Sequence, residues 1–427
     1  MPSDTFIPNT VPVIAALQDD DSMLTRRFGK EVVNYYSGSR LNRYSFLRAD
    51  RAFLRRAAAT PTTRYIALNN LSGVVVDKAQ LATFSFDEVK AFTGAEPFHS
   101  TEDDFIKGYD STLTRPPLVV FLGILDAAGA GNEQVQSVEI ESTNHGSVTG
   151  QPYFAVDVTP RGSYTEAAQA FEKMFEAKGW SVEKNPRAMA LAPDGAAMFA
   201  QARSMIDWNT RNRFCAGCGS PNLSVQAGYK RVCPPTDLNG SGAPVDRPDC
   251  PTRHGVSNVC FPRTDPTMIA AVVSADGKRL LLGRQSVWPQ DWYSTLAGFL
   301  EPGESIEEAV RREVWEEAGV KVGRVVVHST QPWPYPSSLM IGAIAQALPG
   351  GANEEITLND KELEAARWFS LDEVRAALAK GGSALGSASA GPHTEGELRV
   401  PPSQAIANRL MTAVVEGYLT GIETAKM

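Results

Sequence analysis

The sequence lacks several features that would place it in a common class of proteins. It has no apolar run approaching the ~18 residues of a transmembrane helix, so no membrane span or membrane partner is expected. No basic segment precedes the first apolar residues, so a secretory signal is not expected. Positive charge is not in excess, because 41 Lys and Arg face 49 Asp and Glu for a formal net charge of −8. This balance argues against generic binding to a nucleic-acid backbone, which needs clustered cations.

Cysteine is also scarce, and the 5 cysteines are spaced for a metal rather than for disulfides. Cys215 and Cys218 form a C-x2-C knuckle, and Cys233, Cys250 and Cys260 follow. Thiolates at this spacing can reach one tetrahedral Zn²⁺ from a tight hairpin. We expect one structural zinc per chain, held by Cys215, Cys218, Cys233 and Cys250. Cys260 is the alternative fourth ligand, less favoured because it directly precedes a Phe-Pro-Arg stretch where a core residue is expected.

The length of 427 residues suits two or three domains. Residues 1–205 contain apolar runs and two helical patterns, which predict an α+β domain without catalytic spacing. Residues 206–264 surround the cysteines and predict a zinc ribbon. Residues 265–427 begin with a hairpin pattern and form the third domain. We interpret the first domain as a contributor to dimer contacts or substrate shaping, and a homodimer is expected.

The stretch from Gly298 to Val320 organises the third domain. A glycine-rich turn leads into one helix, which Ser305 and Glu308 open as a capping box and Gly319 closes. At roughly 100° per residue, one face of this helix is apolar. The apolar positions are Ile306, Ala309, Val310 and Val314.

Three carboxylates interrupt this apolar stripe. Glu313 and Glu317 fall in its middle, and Glu316 lies at its edge. Carboxylates on a buried face are costly unless they are paired or bound to metal. Oxygen ligands of this kind suit Mg²⁺ or Mn²⁺, so the last two turns of the helix are predicted to face a cation.

The spacing of the fixed positions in this stretch resembles the Nudix box. The matching positions are Gly298, Glu304, Arg312, Glu313, Val314, Glu316, Glu317, Gly319 and Val320. Nudix enzymes hydrolyse nucleoside diphosphates that are linked to another moiety. The resemblance implies an α/β/α sandwich with a mixed sheet for residues 265–427, and an α+β fold class for the chain as a whole.

A second motif narrows the resemblance to the zinc-containing NADH pyrophosphatases of the peroxisomal type. That family carries S-Q-P-W-P-F-P-x-S shortly after the box, and it joins a zinc ribbon to the Nudix domain through a stretch like Phe261-Pro262-Arg263. In this chain Thr330 replaces the first Ser and Tyr335 replaces the Phe. The motif positions that match are Gln331, Pro332, Trp333, Pro334, Pro336 and Ser338. Such a stiff aromatic segment suits stacking on a flat ring, although it also fits a rigid loop that merely packs.

The family resemblance also implies which residues form the site. The catalytic set is Arg312, Glu313, Glu316 and Glu317, with Arg312 orienting the glutamates. The ligands of the catalytic Mg²⁺ or Mn²⁺ are the Ala297 carbonyl, Glu313, Glu317 and Glu362. The substrate contacts are Phe261, Gln331, Pro332, Trp333, Pro334, Tyr335, Pro336, Ser337, Ser338 and Ala407.

The implied activity is hydrolysis of the pyrophosphate bond of NADH, and of NAD⁺, to AMP and the nicotinamide mononucleotide. Two or three Mg²⁺ or Mn²⁺ ions would neutralise the phosphoryl oxygens and position a water, with either a glutamate or a metal-bound hydroxide as the base. Removal of NAD caps from RNA is a second expected activity, since the linkage is the same. The alternatives are a pyrophosphatase for diadenosine diphosphate, ADP-ribose or FAD, and a zinc-ribbon binding protein with an inactive Nudix domain.

The last three residues, Ala425-Lys426-Met427, suggest a cellular address. A small, a basic and a bulky aliphatic residue at the C-terminus resemble the SKL-type peroxisomal signal, which an import receptor reads. We therefore expect a peroxisomal enzyme, with a cytosolic fraction because Met is weaker than Leu in the last place.

Overall fold

The computed structural model describes residues 22–23, 25, 31–113, 117–130, 135–385 and 394–417. Within these ranges no helix is long and apolar enough to cross a membrane. The C-terminal tripeptide that suggests a peroxisomal address lies outside them.

A six-stranded mixed sheet forms the centre of the first domain. Its strands are β1 (Arg64–Asn69), β2 (Ser72–Val75), β3 (Val119–Leu125), β4 (Val138–Glu141), β5 (Ser147–Asp157) and β6 (Ser181–Val182). The order is β3-β5-β1-β2-β6, and β4 pairs with β5 off this path. β1 runs parallel to β5, whereas the β3–β5, β1–β2 and β2–β6 pairs are antiparallel.

Helices cover both faces of this sheet. They are α1 (Arg51–Ala59), α2 (Phe86–Thr93), α3 (Glu102–Lys107), α4 (Ala127–Ala130), α5 (Thr165–Glu176) and α6 (Pro193–Arg211). Phe53, Phe92 and Phe171 fill the core on one face, and α6 covers the other. α6 buries Ile206 and Trp208 in that second core, so residues beyond position 205 also pack against this sheet.

The cysteine-containing segment that follows is built from two short hairpins. Their strands are β7 (Leu223–Val225), β8 (Lys230–Val232), β9 (Thr236–Asp237) and β10 (Val245–Asp246). Arg231 is buried and joins this segment to the first domain, since its Nη1 donates to Asn209 Oδ1 on α6 at 3.0 Å. Its Nε donates within the segment, to Asn222 Oδ1 at 2.6 Å.

The last domain has a second six-stranded mixed sheet. Its strands are β11 (Asp265–Val273), β12 (Arg279–Arg284), β13 (Leu296–Phe299), β14 (Val322–Trp333), β15 (Ser338–Ala347) and β16 (Ala365–Ser370). The order is β14-β15-β11-β12-β16, and β13 pairs with β11 off this path. β11 and β15 are parallel, and the β14–β15, β11–β12 and β12–β16 pairs are antiparallel.

Helices lie on both faces of this sheet too. They are α7 (Ile306–Ala318), α8 (Gly351–Glu354), α9 (Leu371–Lys380) and α10 (Ile406–Val415). α7 packs Ala309, Val310 and Val314 on one face, while α9 and α10 cover the other with residues such as Val374 and Leu410. The predicted α+β class and the α/β/α sandwich with a mixed sheet are confirmed.

The two sheets share one topology along their five-strand paths, and they differ in the sixth strand, because β4 pairs with β5 whereas β13 pairs with β11, which corresponds to β1. From edge to edge, both run antiparallel, parallel, antiparallel, antiparallel, with the strands in corresponding chain order. A helix with a capping box follows the first hairpin in each, opened by Ser85 and Glu88 for α2 and by Ser305 and Glu308 for α7. The chain therefore contains two related sheet-and-helix units. The buried glutamate, Glu317, lies on α7, the helix of the second unit.

Candidate active site

Helix α7 aims a carboxylate at the core it packs on. Ser305 Oγ accepts the Glu308 N–H at 3.3 Å, the Glu308 carboxylate accepts the Ser305 N–H at 2.8 Å, and Gly319 ends the helix at φ 72°. Glu317 shares the buried face with Val310 and Val314, as the sequence periodicity predicts, and is only 3% exposed.

Glu317 is the titratable group of this face whose ionised form is most disfavoured by burial. Its Oε2 is buried and has no hydrogen-bond partner among the described residues. Burial, reinforced by the negative charges of Glu313, Asp360 and Glu362, raises the pKa of Glu317 to about 8. A buried carboxylate surrounded by other carboxylates is stabilised when a cation binds between them.

The absence of a side chain at Gly298 on β13 leaves room for the Glu313 carboxylate beside this strand. A Cβ at Gly298 would lie 2.0 Å from Glu313 Cδ, so only glycine lets this carboxylate rest against the strand. The neighbouring residue is Ala297, whose carbonyl the family resemblance assigns as a metal ligand. Burial raises the pKa of Glu313 even though Arg312 opposes the shift.

Arg312 fixes the positions of three neighbouring glutamate side chains. Its Nε and Nη2 form a fork with the Glu304 carboxylate at 2.6 and 2.9 Å, and Nη1 lies 3.0 Å from both Glu313 Oε1 and Glu316 Oε2. Nη2 also donates to the Phe299 carbonyl at 2.8 Å. These contacts hold the pKa of Glu304 at about 2 and agree with an orienting role for Arg312.

A loop after α8 completes the acidic cluster. The last carbonyls of a helix lack partners in a following turn, and here the loop supplies donors to them, in addition to the Gly319 N–H that the Trp315 carbonyl accepts at 2.9 Å. The Thr357 N–H donates to Ala318, Asn359 Nδ2 to Trp315 and the Asp360 N–H to Glu316, at 3.0, 2.7 and 3.1 Å.

This docking brings two further acids near Glu317. Glu362 was expected there, and its N–H donates to Asp360 Oδ1 at 3.0 Å. Asp360 is an addition that the sequence analysis missed, because only the docked loop reveals it. Asp360 raises the Glu317 pKa more than Glu362 does.

The chemistry of the predicted ligands suits a divalent cation. Carboxylates and a backbone carbonyl are the hard oxygen ligands that Mg²⁺ prefers. A bound ion would also supply the partner that the buried Oε2 of Glu317 lacks. Glu316 differs from its neighbours, since its side chain is 40% exposed and paired with Arg312.

The predicted substrate loop spans the end of β14, the connecting residues 334–337 and the start of β15, and it packs against the first domain. The Trp333 ring lies 6.0 Å from the Tyr36 ring and 5.3 Å from the Tyr335 ring, all edge to face. Tyr335 and Tyr36 also join their hydroxyl groups at 3.2 Å. Much of this aromatic surface is therefore used in packing rather than left open for a flat ring.

Arg203 on α6 clamps the same loop. Its Nε donates to the Pro334 carbonyl at 2.7 Å, its Nη1 donates to the Leu71 carbonyl, and its guanidinium lies 4.5 Å from the centre of the Tyr335 ring. The first domain thus contacts the loop directly, through a residue that the sequence pattern did not single out.

The remaining motif residues are also engaged. Gln331 is buried, donates to the carbonyls of Tyr35 and Gln404 and accepts the Ile406 N–H at 2.9 Å, so its amide joins three segments. Ser337 donates to the Arg263 carbonyl at 3.1 Å. Pro332 is half-buried, Pro336 exposed, and Ser338 buried.

Two of the predicted substrate contacts lie apart from the loop motif. Ala407 is 4% exposed and packs in the core beneath α10. Phe261 is 40% exposed, and Lys230 Nζ lies 5.8 Å from its ring centre. Phe261 therefore keeps a free face, whereas Ala407 presents little surface.

Four of the five cysteines converge. The Sγ atoms of Cys215, Cys218, Cys233 and Cys250 all lie within 4.8 Å of one another, with the Cys215–Cys250 and Cys218–Cys233 pairs at 3.5 and 3.6 Å. A sulfur tetrahedron around Zn²⁺ at ~2.3 Å has edges of about 3.8 Å, so the cluster fits one zinc ion. Cys260 is buried outside this group, as expected.

Family models match three consecutive parts of the chain. Residues 264–386 match the NUDIX domain and residues 210–239 match the NADH pyrophosphatase zinc ribbon domain. Residues 62–208 match the NADH pyrophosphatase-like rudimentary NUDIX domain, which agrees with the sheet topology repeated in the first domain.

Full-length relatives match as well. The chain is 34% identical over 395 residues to the NAD-capped RNA hydrolase of Schizosaccharomyces pombe, covering 89% of this chain and 92% of that protein. It is 35% identical to the human NAD-capped RNA hydrolase NUDT12, covering 90% of this chain and 73% of the relative. It is also 35% identical to the mitochondrial NAD(P)H pyrophosphatase NUDT13 of Mus musculus, covering 69% and 76%.

Proposed function

We propose that this chain, which belongs to the NADH pyrophosphatase family of Nudix hydrolases, cleaves the pyrophosphate bond of NADH and NAD⁺ to AMP and the nicotinamide mononucleotide. The observation that carries the proposal is the buried Glu317, whose orphaned oxygen lies among Glu313, Asp360 and Glu362. A protein that used this fold only as a scaffold would gain nothing from such a costly arrangement.

The ligands for Mg²⁺ or Mn²⁺ would be Glu313, Glu317, Glu362 and the Ala297 carbonyl, with Asp360 beside them. When bound, such ions neutralise the charge of the pyrophosphate oxygens and supply an activated water. Arg312 holds Glu313 Oε1 and Glu316 Oε2 in fixed positions, so the carboxylates are already arranged before substrate arrives.

The loop that joins β14 to β15 and the first domain together shape the rest of the substrate site. Because Tyr36 and Arg203 hold Trp333 and Tyr335, the loop presents one fixed wall to a dinucleotide. A rigid wall reduces the entropy lost when the substrate binds.

A substrate panel tests the proposal. Purified protein with Mg²⁺ or Mn²⁺ is given NADH, NAD⁺, ADP-ribose, diadenosine diphosphate and FAD, and the products are separated by chromatography. We expect AMP from NADH with the highest kcat/KM. A higher kcat/KM for another dinucleotide would make that compound the preferred substrate. No hydrolysis of any of them would refute the proposal.

NAD-capped RNA is proposed as a second substrate, because two of the relatives named above are NAD-capped RNA hydrolases. The linkage between AMP and the nicotinamide nucleotide is the same in the cap. Release of nicotinamide mononucleotide from a capped transcript, leaving a 5′-monophosphate, is the expected result.

Loss of the Arg203 clamp should raise KM more than it lowers kcat. In Arg203→Ala the loop loses its charged hydrogen bond at the Pro334 carbonyl, worth about 1.5–3 kcal/mol, and the bond to the Leu71 carbonyl of the first domain is lost with it, while α7 is untouched. We expect the KM for NADH to rise about tenfold, the equivalent of roughly 1.4 kcal/mol. Steady-state kinetics measure this, with Arg203→Lys restoring part of the loss.

The matched control is Arg211→Ala on the same helix, where the side chain is 54% exposed and pairs with Asp207. This variant should leave KM within twofold. If Arg203→Ala behaves like Arg211→Ala, the loop is positioned without the clamp.

A peroxisomal address is proposed from the C-terminal Ala425-Lys426-Met427. We expect a fluorescent protein fused to the N-terminus of the chain to collect in peroxisomes, and to become diffuse when these three residues are removed. Diffuse signal from both fusions would contradict the address.

A further inference from the structure

A second concave site lies in the first domain. Its cavity of about 480 Å³ is formed where the start of α1 meets the segments 98–102 and 143–145. This volume lies in the range of small-molecule sites. None of the residues assigned to the active site lines it, so it is a separate feature of the molecule.

Aromatic rings form part of its wall. Phe46 is 55% exposed, although a phenyl ring of this size is normally buried. Its ring stands edge to face on His145, with centroids 4.9 Å apart, so it is held in place rather than free to rotate away. Phe98 lies on the opposite segment and is covered on one side by Arg51, 5.5 Å from its ring centre.

The groove wall carries the arginines Arg51 and Arg55 and the carboxylates Asp50 and Glu102, so its formal charges balance. Of the two arginines, only Arg55 has no side-chain partner among the described residues. The Asp50 carboxylate is engaged as the cap of α1 by the Phe53 N–H and by Thr143, and Arg51 interacts with Glu102. Arg55 lies one turn further along α1 and is exposed, and its side chain makes no hydrogen bond or ion pair with any residue that the structure describes. The exposed His99 and His145 add further donors to the rim.

We propose that this groove binds a nucleotide, with the base against Phe46 and the phosphate on Arg55. A bare anion would leave the aromatic wall unused, and an apolar ligand would leave Arg55 unpaired. A flat base attached to a phosphate uses both, as aromatic and arginine side chains do in single-strand nucleic-acid sites. The source is either an RNA segment or a free mononucleotide. In the RNA case the groove would hold the transcript behind the proposed NAD cap, and that part rests on the proposed function.

Binding is measured by fluorescence anisotropy with zinc-loaded protein and no added Mg²⁺ or Mn²⁺, so that nothing is hydrolysed. The probe is a 5′-phosphorylated, 3′-labelled RNA decamer. We expect Arg55→Glu and Phe46→Ala each to raise the Kd at least about tenfold, since stacking and phosphate contacts are each worth that much. Unlabelled AMP competing at the concentration of the RNA identifies a mononucleotide site, and competition by RNA alone identifies a polymer site.

The control is Arg56→Glu, one residue away on the same helix. Arg56 is exposed but turns to the Glu141 carbonyl, 2.8 Å away, and does not line the cavity. Its Kd should stay within twofold of the wild type. Equal Kd values for Arg55→Glu and Arg56→Glu, or no binding by the wild type, would overturn the proposal.

NADH hydrolysis with Mg²⁺ is measured in the same variants. Arg55→Glu should keep it unchanged, because the groove is not the active site. If NADH hydrolysis is absent from every protein while the Kd values differ as expected, the proposed function fails and the nucleotide groove stands.

Discussion

Replacing Glu317 with Gln should lower the rate of NADH hydrolysis at least ~100-fold, equivalent to about 2.7 kcal/mol of barrier. The substitution keeps the shape of the side chain and removes the charge that a bound cation requires. Glu317 is the carboxylate that a bound cation should stabilise most, because its Oε2 is buried without a partner and its pKa is raised to about 8. Steady-state kinetics at saturating Mg²⁺ measure the loss.

Folding should not suffer from this substitution. Because the pKa of Glu317 is raised to about 8, this side chain is mostly protonated in the metal-free protein at pH 7, and the Gln amide is a neutral replacement of the same shape. The melting temperature should therefore be unchanged or higher at pH 7, and higher above pH 8, where Glu317 is charged and repels Glu313 and Asp360. Glu307→Gln is the matched control, since it changes a glutamate in the first turn of the same helix. A Glu317→Gln enzyme that keeps a tenth of the wild-type rate would remove Glu317 from the metal site.

The second large effect concerns zinc. Cys250→Ser should reduce the zinc content from about one ion per chain to near zero, because structural sites need all four ligands. Binding of structural zinc is worth about 10–16 kcal/mol in small domains, so the ribbon should lose its fold. Elemental analysis after gel filtration gives the zinc content, and near-UV circular dichroism reports the packing of the segment.

Cys260→Ser is the control for that experiment. Cys260 is buried but lies outside the four-sulfur cluster, so this variant should keep its zinc. The opposite pattern, with zinc lost from Cys260→Ser and kept by Cys250→Ser, would mean that Cys260 is the fourth ligand.

The acidic helix could be predicted from the sequence because its information is local. The capping box, the 3.6-residue period and the terminal glycine all lie within about twenty residues, and the structure has the helix at Ile306–Ala318. The same holds for the C-x2-C knuckle. In both cases short spacing fixes which side chains can meet.

The features that escaped prediction depend on contacts between distant segments. Asp360 reaches Glu317 only because its loop caps the end of α7. The clamp of Arg203 on the Pro334 carbonyl joins residues 131 positions apart, and no local pattern encodes it.

The most direct test of the central claim is hydrolysis of NADH in water enriched in ¹⁸O, with products analysed by mass spectrometry. The account predicts AMP and reduced nicotinamide mononucleotide in equal amounts, with one ¹⁸O in the phosphate of one of the two products, only when Mg²⁺ or Mn²⁺ is added. Cleavage that proceeds equally without added divalent cation, or products other than these two mononucleotides, would contradict it.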